Sequence, residues 1–295
     1  MIELQERIDY YIGNTEYQEE SPVDDGRKTF LFDGSQRGVI YEEDVVRLFA
    51  NSNSDSIWFR CSDSRYTGPN YPVITKTRDT HNPESKGIIG SLEYSRHFGN
   101  INQVRKLDVD WKDKKDDMIW RGASTGIDKD DRICSRLDFV KKYFNKFDVG
   151  LSSPANKWYQ RNRKLFEQFY KQPVSIIDQL KYKYIPVLDG NDKASCLNWI
   201  LASTSVPLMP KPRFHSWLCE KYLEAGKHYV ELKQDYSDLE EKLNWCINND
   251  KECKYIGWHG AIFMRENFNA HQEELAEKLL MHSVDEIYSK QRCII

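Results

Sequence analysis

The stretch Lys181–Ser205, KYKYIPVLDGNDKASCLNWILASTS, constrains this chain most. Its apolar, β-branched run Tyr184–Leu188 reads as a strand. The polar turn Asp189-Gly190-Asn191-Asp192 comes next, and Ala194–Leu201 then carries helix formers with apolar spacing. Strand, glycine-containing turn and helix together aim backbone N–H groups at an anion, and a nucleotide diphosphate suits such a place. Ser203 and Ser205 stand beyond the helix as further hydroxyl donors. The plainer reading of Asp189–Asp192 is a connecting turn, so the weight falls on whether other segments agree.

A length of 295 residues suffices for one large or two ordinary domains. A net charge of −3 leaves no nucleic-acid footprint. With mean hydropathy of −0.73 and no long uncharged apolar run, nothing is expected to span a membrane. The start MIELQERIDYY is acidic and lacks a signal-peptide core. Seven cysteines without a C-x-x-C pair read as reduced thiols, and Cys293-Ile294-Ile295 falls one residue short of a prenylation box. The expectation is a cytoplasmic globular protein.

Residues 1–28 read as a polar surface wrap, Lys28–Phe32 and Gly38–Tyr41 as short strands, and Tyr41–Phe49 as a helix. The strand Ser56–Arg60 runs into Cys61-Ser62-Asp63. Catalytic groups gather where α/β strands end, so Asp63 is either a general base or a turn aspartate capping the next segment. Tyr71–Thr77 is the next strand, and Arg78–Asn100 reads as a long loop whose His81, Tyr94, Arg96 and His97 face an acceptor or simply solvent. The charged Lys106–Asp117 reads as an inter-domain connection. It contains Asp108-Val109-Asp110, a spacing that puts two carboxylates on one side of a strand for a divalent ion, or on a solvated face.

Met118-Ile119-Trp120 is a buried-looking strand ending in Arg121-Gly122-Ala123-Ser124-Thr125-Gly126. An arginine fork beside glycines and the hydroxyls of Ser124 and Thr125 suits an anion. Arg132 and Arg136 come next on an expected helix Arg132–Phe144, with Arg132 counted among the nucleotide contacts. Val149–Tyr170 is basic and aromatic and reads as an acceptor-side or surface helix. Val206–Met209 and His228–Leu232 are strands, and Trp217–Leu223 shows helical spacing with Glu220 placed to meet a ribose or a surface partner. Ser237–Glu240 reads as a capping box, and His271–Lys290 as an amphipathic helix packed back on the molecule.

Four segments, IWRGASTG at 119–126, KYKYIPVLDGND at 181–192, WILASTSVPLMP at 199–210 and HYVELKQDYSDL at 228–239, resemble in order and spacing the CAP10-like glycosyltransferases, the group that includes the protein O-glucosyltransferases. The likeness spans residues 56–265 and is closest to the short, signal-less form of bacteria and large DNA viruses. It implies a GT-B fold, two Rossmann-like domains facing across a cleft. The expected division is 1–110 for the acceptor side, 111–268 for the nucleotide sugar, and 269–295 for a helix packing back. It implies inverting transfer from a UDP-sugar, xylose first and glucose second, to a glycan or glycoprotein hydroxyl, with no cofactor, metal or nucleic acid. Asp63 then becomes the base, Arg121-Gly122 a diphosphate contact, and Asp189, Gly190, Asn191, Ala194 and Ser195 the donor turn. Ser124, Thr125, Arg132, Ser203 and Glu220 complete the expected donor site, and His81, Tyr94 and His97 the acceptor side. One position departs from the pattern: Cys196 stands where many members carry an arginine, and Lys193, Lys211 and Arg213 are the candidates to replace that cation. Two rival readings are a metal-dependent enzyme using Asp108 and Asp110, and a non-catalytic glycan- or protein-binding relative.

Overall fold

The structure is a computed structural model, and it describes residues 1–13, 17, 29–32, 38–61, 71–83, 85–127 and 133–292. In chain order come α1 (Leu4–Ile12), β1 (Thr29–Phe32), α2 (Gly38–Ala50), β2 (Ser56–Arg60), β3 (Ile74–Thr75), β4 (Thr77–Asp79), β5 (Ile88–Ile89), α3 (Tyr94–Phe98) and α4 (Ile101–Leu107). Next are β6 (Lys115–Ala123), α5 (Arg136–Tyr143), β7 (Asp148–Ser153), α6 (Asn156–Arg161), α7 (Arg163–Gln168) and α8 (Ile176–Gln179). The chain continues through β8 (Tyr182–Pro186), α9 (Cys196–Leu201), β9 (Val206–Met209), β10 (Phe214–Ser216), β11 (Val230–Glu231), α10 (Leu239–Asn248), α11 (Asp250–Asn267) and α12 (Ala270–Arg292).

These elements form two compact α/β units. The first comprises Met1–Arg96, Arg213–Lys221 and Glu266–Ile295, the second His97–Pro212 and Tyr222–Arg265. The division therefore falls at 96/97, where the sequence suggested 110/111. Arg213–Lys221 joins the first unit because β10 pairs antiparallel with β4. Within the first unit a parallel sheet runs in the order β1-β2-β3-β5. Gly38–Tyr41 is the opening of α2 rather than a strand. Tyr41, Val45 and Leu48 recur every three or four residues and are buried together, a period only a helix satisfies. The expected strand at Tyr71–Thr77 is split into β3 and β4 at Lys76, and the expected loop beyond it contains β5 and α3.

Arg7 anchors the first unit. Its guanidinium is 2% exposed and pairs with Glu273 on α12, while its Nε donates to the Tyr11 hydroxyl and its Nη1 to the Asn267 carbonyl. Tyr11 stacks on Trp217 with ring centroids 4.1 Å apart, and the Trp217 indole donates to Glu273 at 2.8 Å. The C-terminal helix is thus held to the first helix by a satisfied buried charge pair.

The second unit has a five-stranded parallel sheet in the order β11-β9-β8-β6-β7. A parallel strand covered on both faces needs apolar residues throughout. Val206–Met209 meets that requirement at every position, and Lys183–Pro186 is likewise buried. Trp120, Phe139, Tyr143 and Tyr236 pack ring on ring beneath the sheet, and the Tyr236 hydroxyl donates to the Val187 carbonyl at 2.6 Å. Lys106–Asp117 is not a connection but the end of α4, a short turn of helix and the start of β6. Val149–Tyr170 supplies most of β7 and the short helices α6 and α7, and Trp217–Leu223 yields only a 3₁₀ turn at Glu220–Tyr222. The expected capping box at Ser237 does not form. Asp238 is the N-cap and accepts from the Lys233 N–H instead, so α10 starts at Leu239. Among the described residues no helix is long and apolar enough to cross a membrane.

Breaking the buried pair by Glu273→Ala leaves the Arg7 charge uncompensated. It should cost about 3–5 kcal/mol, read as a lower urea midpoint, whereas Glu224→Ala at the surface should stay within about 0.5 kcal/mol. Acid adds a second signature. Burial lowers the His228 imidazole from 6.5 to about 4. The unfolded chain therefore binds the extra proton first, and stability should fall as pH drops from 6.5 toward 4. His228→Asn should flatten that slope in pH-dependent thermal melts.

Candidate functional site

From β6 the chain crosses through α5 to the sheet edge at β7, then returns to β8 on the other side of β6. Strand order reverses there, and in open parallel sheets the crevice at the carboxyl ends of such a strand pair receives ligands. The two turns that leave β6 and β8 meet at that point. The Gly126 N–H donates to Asn191 Oδ1 at 3.1 Å. Gly126 has φ +76°, and a Cβ there would collide with the Gly190 carbonyl, so only glycine permits the approach. The second turn closes on itself, with Gly190 N–H donating to the Asp192 carbonyl at 3.0 Å and Ala194 N–H to Asp189 Oδ1 at 3.1 Å. Ala194 is buried, while Ser195 is half-buried and caps α9 without a side-chain bond. The helix begins at Cys196 and not at Ala194.

Several expected site residues have other duties. Arg121 points to β7: Nη2 reaches Asp148 at 2.7 Å, Nη1 the Trp120 and Asp148 carbonyls, and Nε the Gln172 carbonyl. Burial alone would raise the Asp148 carboxyl, but hydrogen bonds from Arg121 and Lys171 hold it below the usual carboxylate range. Gly122 makes room for the Trp120 indole, which a Cβ would strike. Ser124 is fully buried, donating to the Ala155 carbonyl at 2.8 Å and accepting its N–H at 2.7 Å, which joins the ends of β6 and β7.

Other expected contacts lie elsewhere. Ser203 donates to Ile200 O at 2.6 Å, and Ser205 donates to the Tyr182 carbonyl at 2.8 Å at the amino ends of β8 and β9. Asp108 belongs to that opposite end too. Its Oδ1 takes the Lys114 ammonium at 2.5 Å, and its Oδ2 takes both the N–H and hydroxyl of Thr204 at 2.7 Å. Asp110 is exposed and caps the following turn through backbone alone. Asp108 is thus a structural fastener at this end of the sheet, and its two carboxylate oxygens are engaged by Lys114 and Thr204. Among the described residues no group of three or more His, Cys, Asp or Glu side chains is placed to share an ion.

Glu220 sits in the first unit, buried, accepting from Ser216 N–H and hydroxyl at 2.6 Å and from the Tyr10 hydroxyl at 3.3 Å. His81 is exposed past β4, Tyr94 is half-buried under the Arg47 guanidinium, and His97 is buried. Asp63 and Arg132 lie outside the described residues.

Arg136 lies where the two turns meet. Its Nη1 donates to Ala123 O at 3.1 Å and Thr125 Oγ1 at 2.7 Å, and its Nη2 to Leu188 O at 2.9 Å, bridging the ends of β6 and β8. A capping box at Ser135 and Asp138 fixes the start of α5 and so places Arg136 in its first turn. That Ser-x-x-Asp spacing was the available sequence signal. In the first unit, the buried Lys76–Glu93 pair at 2.7 Å stands at the carboxyl ends of β3 and β5, with Glu93 at φ 53°. A non-glycine residue in that region costs about 1–3 kcal/mol and often marks a functional edge.

The profile of Glycosyl transferase family 90 matches residues 89–276, more than half of the chain. The chain belongs to glycosyl transferase family 90. O-glucosyltransferase LpsA of Dichelobacter nodosus is 32% identical over 179 residues, covering 60% of this chain and 50% of its own length. Protein O-glucosyltransferase 2 of Danio rerio is 30% identical over 156 residues, covering 52% of this chain and 29% of its own. The chain therefore spans half or less of the length of these relatives. A structure of S. aureus TarM in complex with UDP covers 78% of this chain and 56% of its own at 12% identity, with a TM-score of 0.45. The family match covers both turns of the strand-reversal point and the whole of α5.

The two aspartates of the Asp108–Asp110 pair should behave unequally. Asp108→Ala leaves the fully buried Lys114 ammonium, which keeps the Leu180 carbonyl and the Ser205 hydroxyl, without its carboxylate and should cost about 3 kcal/mol or more. Asp110→Ala should stay within about 0.5 kcal/mol. Equal losses in thermal denaturation would contradict that role.

Proposed function

We propose that this family 90 chain transfers a sugar from a UDP-sugar to a hydroxyl of a glycan or glycoprotein, with inversion at the anomeric carbon. The supporting observation is the meeting of the Thr125–Gly126 and Asp189–Ala194 turns at the carboxyl ends of β6 and β8. Thr125, Asp189 and Asn191 are each half-buried there, so a ligand from solvent reaches them. A diphosphate fits such a place because fixed donors beside glycine backbone stabilise an oxyanion without reorganising. In this reading the second unit holds the donor. Asp63, which follows Ser56–Arg60 in the sequence, takes the proton of the acceptor hydroxyl as its oxygen attacks the anomeric carbon. The bond to the diphosphate breaks, and UDP leaves with the added negative charge.

The names of both curated relatives carry the word glucosyltransferase. UDP-glucose is therefore the first donor to try and UDP-xylose the second. Calorimetry with UDP, UDP-glucose, UDP-xylose and GDP-mannose should show uridine-selective binding unchanged by EDTA. Asp63→Asn should lower turnover by about 10²–10⁴-fold while leaving UDP affinity as it was. Undiminished turnover in that variant would remove Asp63 from the role, and absence of uridine-nucleotide binding in the parent chain would remove the donor class.

A further inference from the structure

Residues 157–164, KWYQRNRK, carry four cations and no acid in a chain whose net charge is −3. They belong to α6 and α7, just beyond the carboxyl end of β7. The Ser124 hydroxyl donates to the Ala155 carbonyl and accepts its N–H, so α6 starts beside the exit of β6, the strand that leads into Thr125 and Gly126. Trp158 and Tyr159 are half-buried against the second unit's core, and the Tyr159 ring meets the buried Phe166 ring at 5.0 Å. That packing fixes the apolar side of the segment, while Lys157, Arg161 and Lys164 stay exposed.

Local stability does not account for these charges. Arg163 is answered by Glu167 at 2.9 Å, but among the described residues no carboxylate lies within ion-pair distance of Lys157, Arg161 or Lys164. Lys157 and Arg161 stand four residues apart on α6, a spacing at which like charges oppose the helix that carries them. Such a surplus suits an anionic partner, because complementary charge speeds encounter and fixes register. The patch also lies beside the exit of β6, the strand that leads into one of the proposed donor turns, where an acceptor must come. We infer that the α6–α7 face binds the acceptor and that the acceptor is a glycan bearing phosphate or carboxylate groups. The half-buried rings of Trp158 and Tyr159, set between the cations, offer flat apolar faces to sugar rings. A bilayer would ask for exposed apolar side chains, and the large ones of this segment pack inward.

This inference rests on the proposed UDP-sugar reading, and the test separates the two. The triple variant Lys157→Gln/Arg161→Gln/Lys164→Gln and a control, Lys112→Gln/Lys251→Gln/Lys254→Gln, lose the same charge at exposed positions of the second unit. Both are titrated calorimetrically beside the full parent chain. The probes are UDP, plain dextran, dextran phosphate and carboxymethyl-dextran of one chain length, phosphatidylglycerol vesicles and poly(A). The parent should bind one or both anionic dextrans and not plain dextran, more weakly as salt rises. Exposed ion pairs are individually weak, so losing three should lower that affinity about ten-fold. The control should bind as the parent does, and UDP affinity should be equal in all three proteins. The triple variant should melt no lower than the parent, because it loses a like-charge pair. If the parent binds no uridine nucleotide, the proposed function falls and the acceptor assignment with it. If the parent binds UDP but neither anionic dextran, or favours plain dextran, vesicles or poly(A) over them, only this inference falls. It falls equally if the triple variant holds the anionic dextrans as tightly as the parent, if the control loses as much, or if the triple variant melts well below the parent.

Discussion

The close approach of Gly126 to Gly190 is the constraint on which the second unit's carboxyl-end architecture depends. Two parallel strands, β6 and β8, deliver their exits side by side because the chain leaves for β7 and comes back. Two turns of ordinary bulk would splay apart there. Gly126 adopts the left-handed conformation, its N–H is received by Asn191, and the backbone of Gly190 fits beneath it. Arg136 then straddles both exits from α5 and ties three of their oxygen atoms to one rigid plane.

Several charges in this molecule have their hydrogen-bonding capacity consumed internally. Arg121, Asp108 and Glu220 are each engaged by partners on neighbouring elements, and each therefore acts as a fastener. Buried charge demands such pairing, since an uncompensated ion in a low-dielectric interior costs several kcal/mol. Arg136 is held as firmly, bridging the exits of two strands, and stays half-buried. The Lys76–Glu93 pair shows the same economy in the first unit, where a buried ion pair closes the carboxyl end of the short sheet.

Much of this was legible along the chain. The strand expected at Tyr184–Leu188, observed over Tyr182–Pro186, the run at Met118–Trp120 within β6 and the final amphipathic helix arise from apolar spacing. Local signals failed where a partner distant in sequence decided the outcome. Tyr71–Thr77 splits because Lys76 turns to reach Glu93, and the Ser237 box is displaced because Asp238 serves Lys233. Arg121 looked available beside Gly122 because sequence cannot reveal that Asp148 lies on the adjoining strand.

By itself the sequence determined an α/β chain with a strand–turn–helix built for an anion near Gly190. It also carried the family's motifs, because period-2 and period-3.6 patterns and turn residues act over a few neighbours. Tertiary structure decided which of those residues meet. The reversal of strand order at β6 and β8 assembles Thr125, Gly126, Arg136 and Gly190 from three segments. The same sheet sends Ser203, Ser205 and Asp108 to its other end, because hydroxyls and carboxylates look alike along a chain and are separated only by the direction of the strands that carry them.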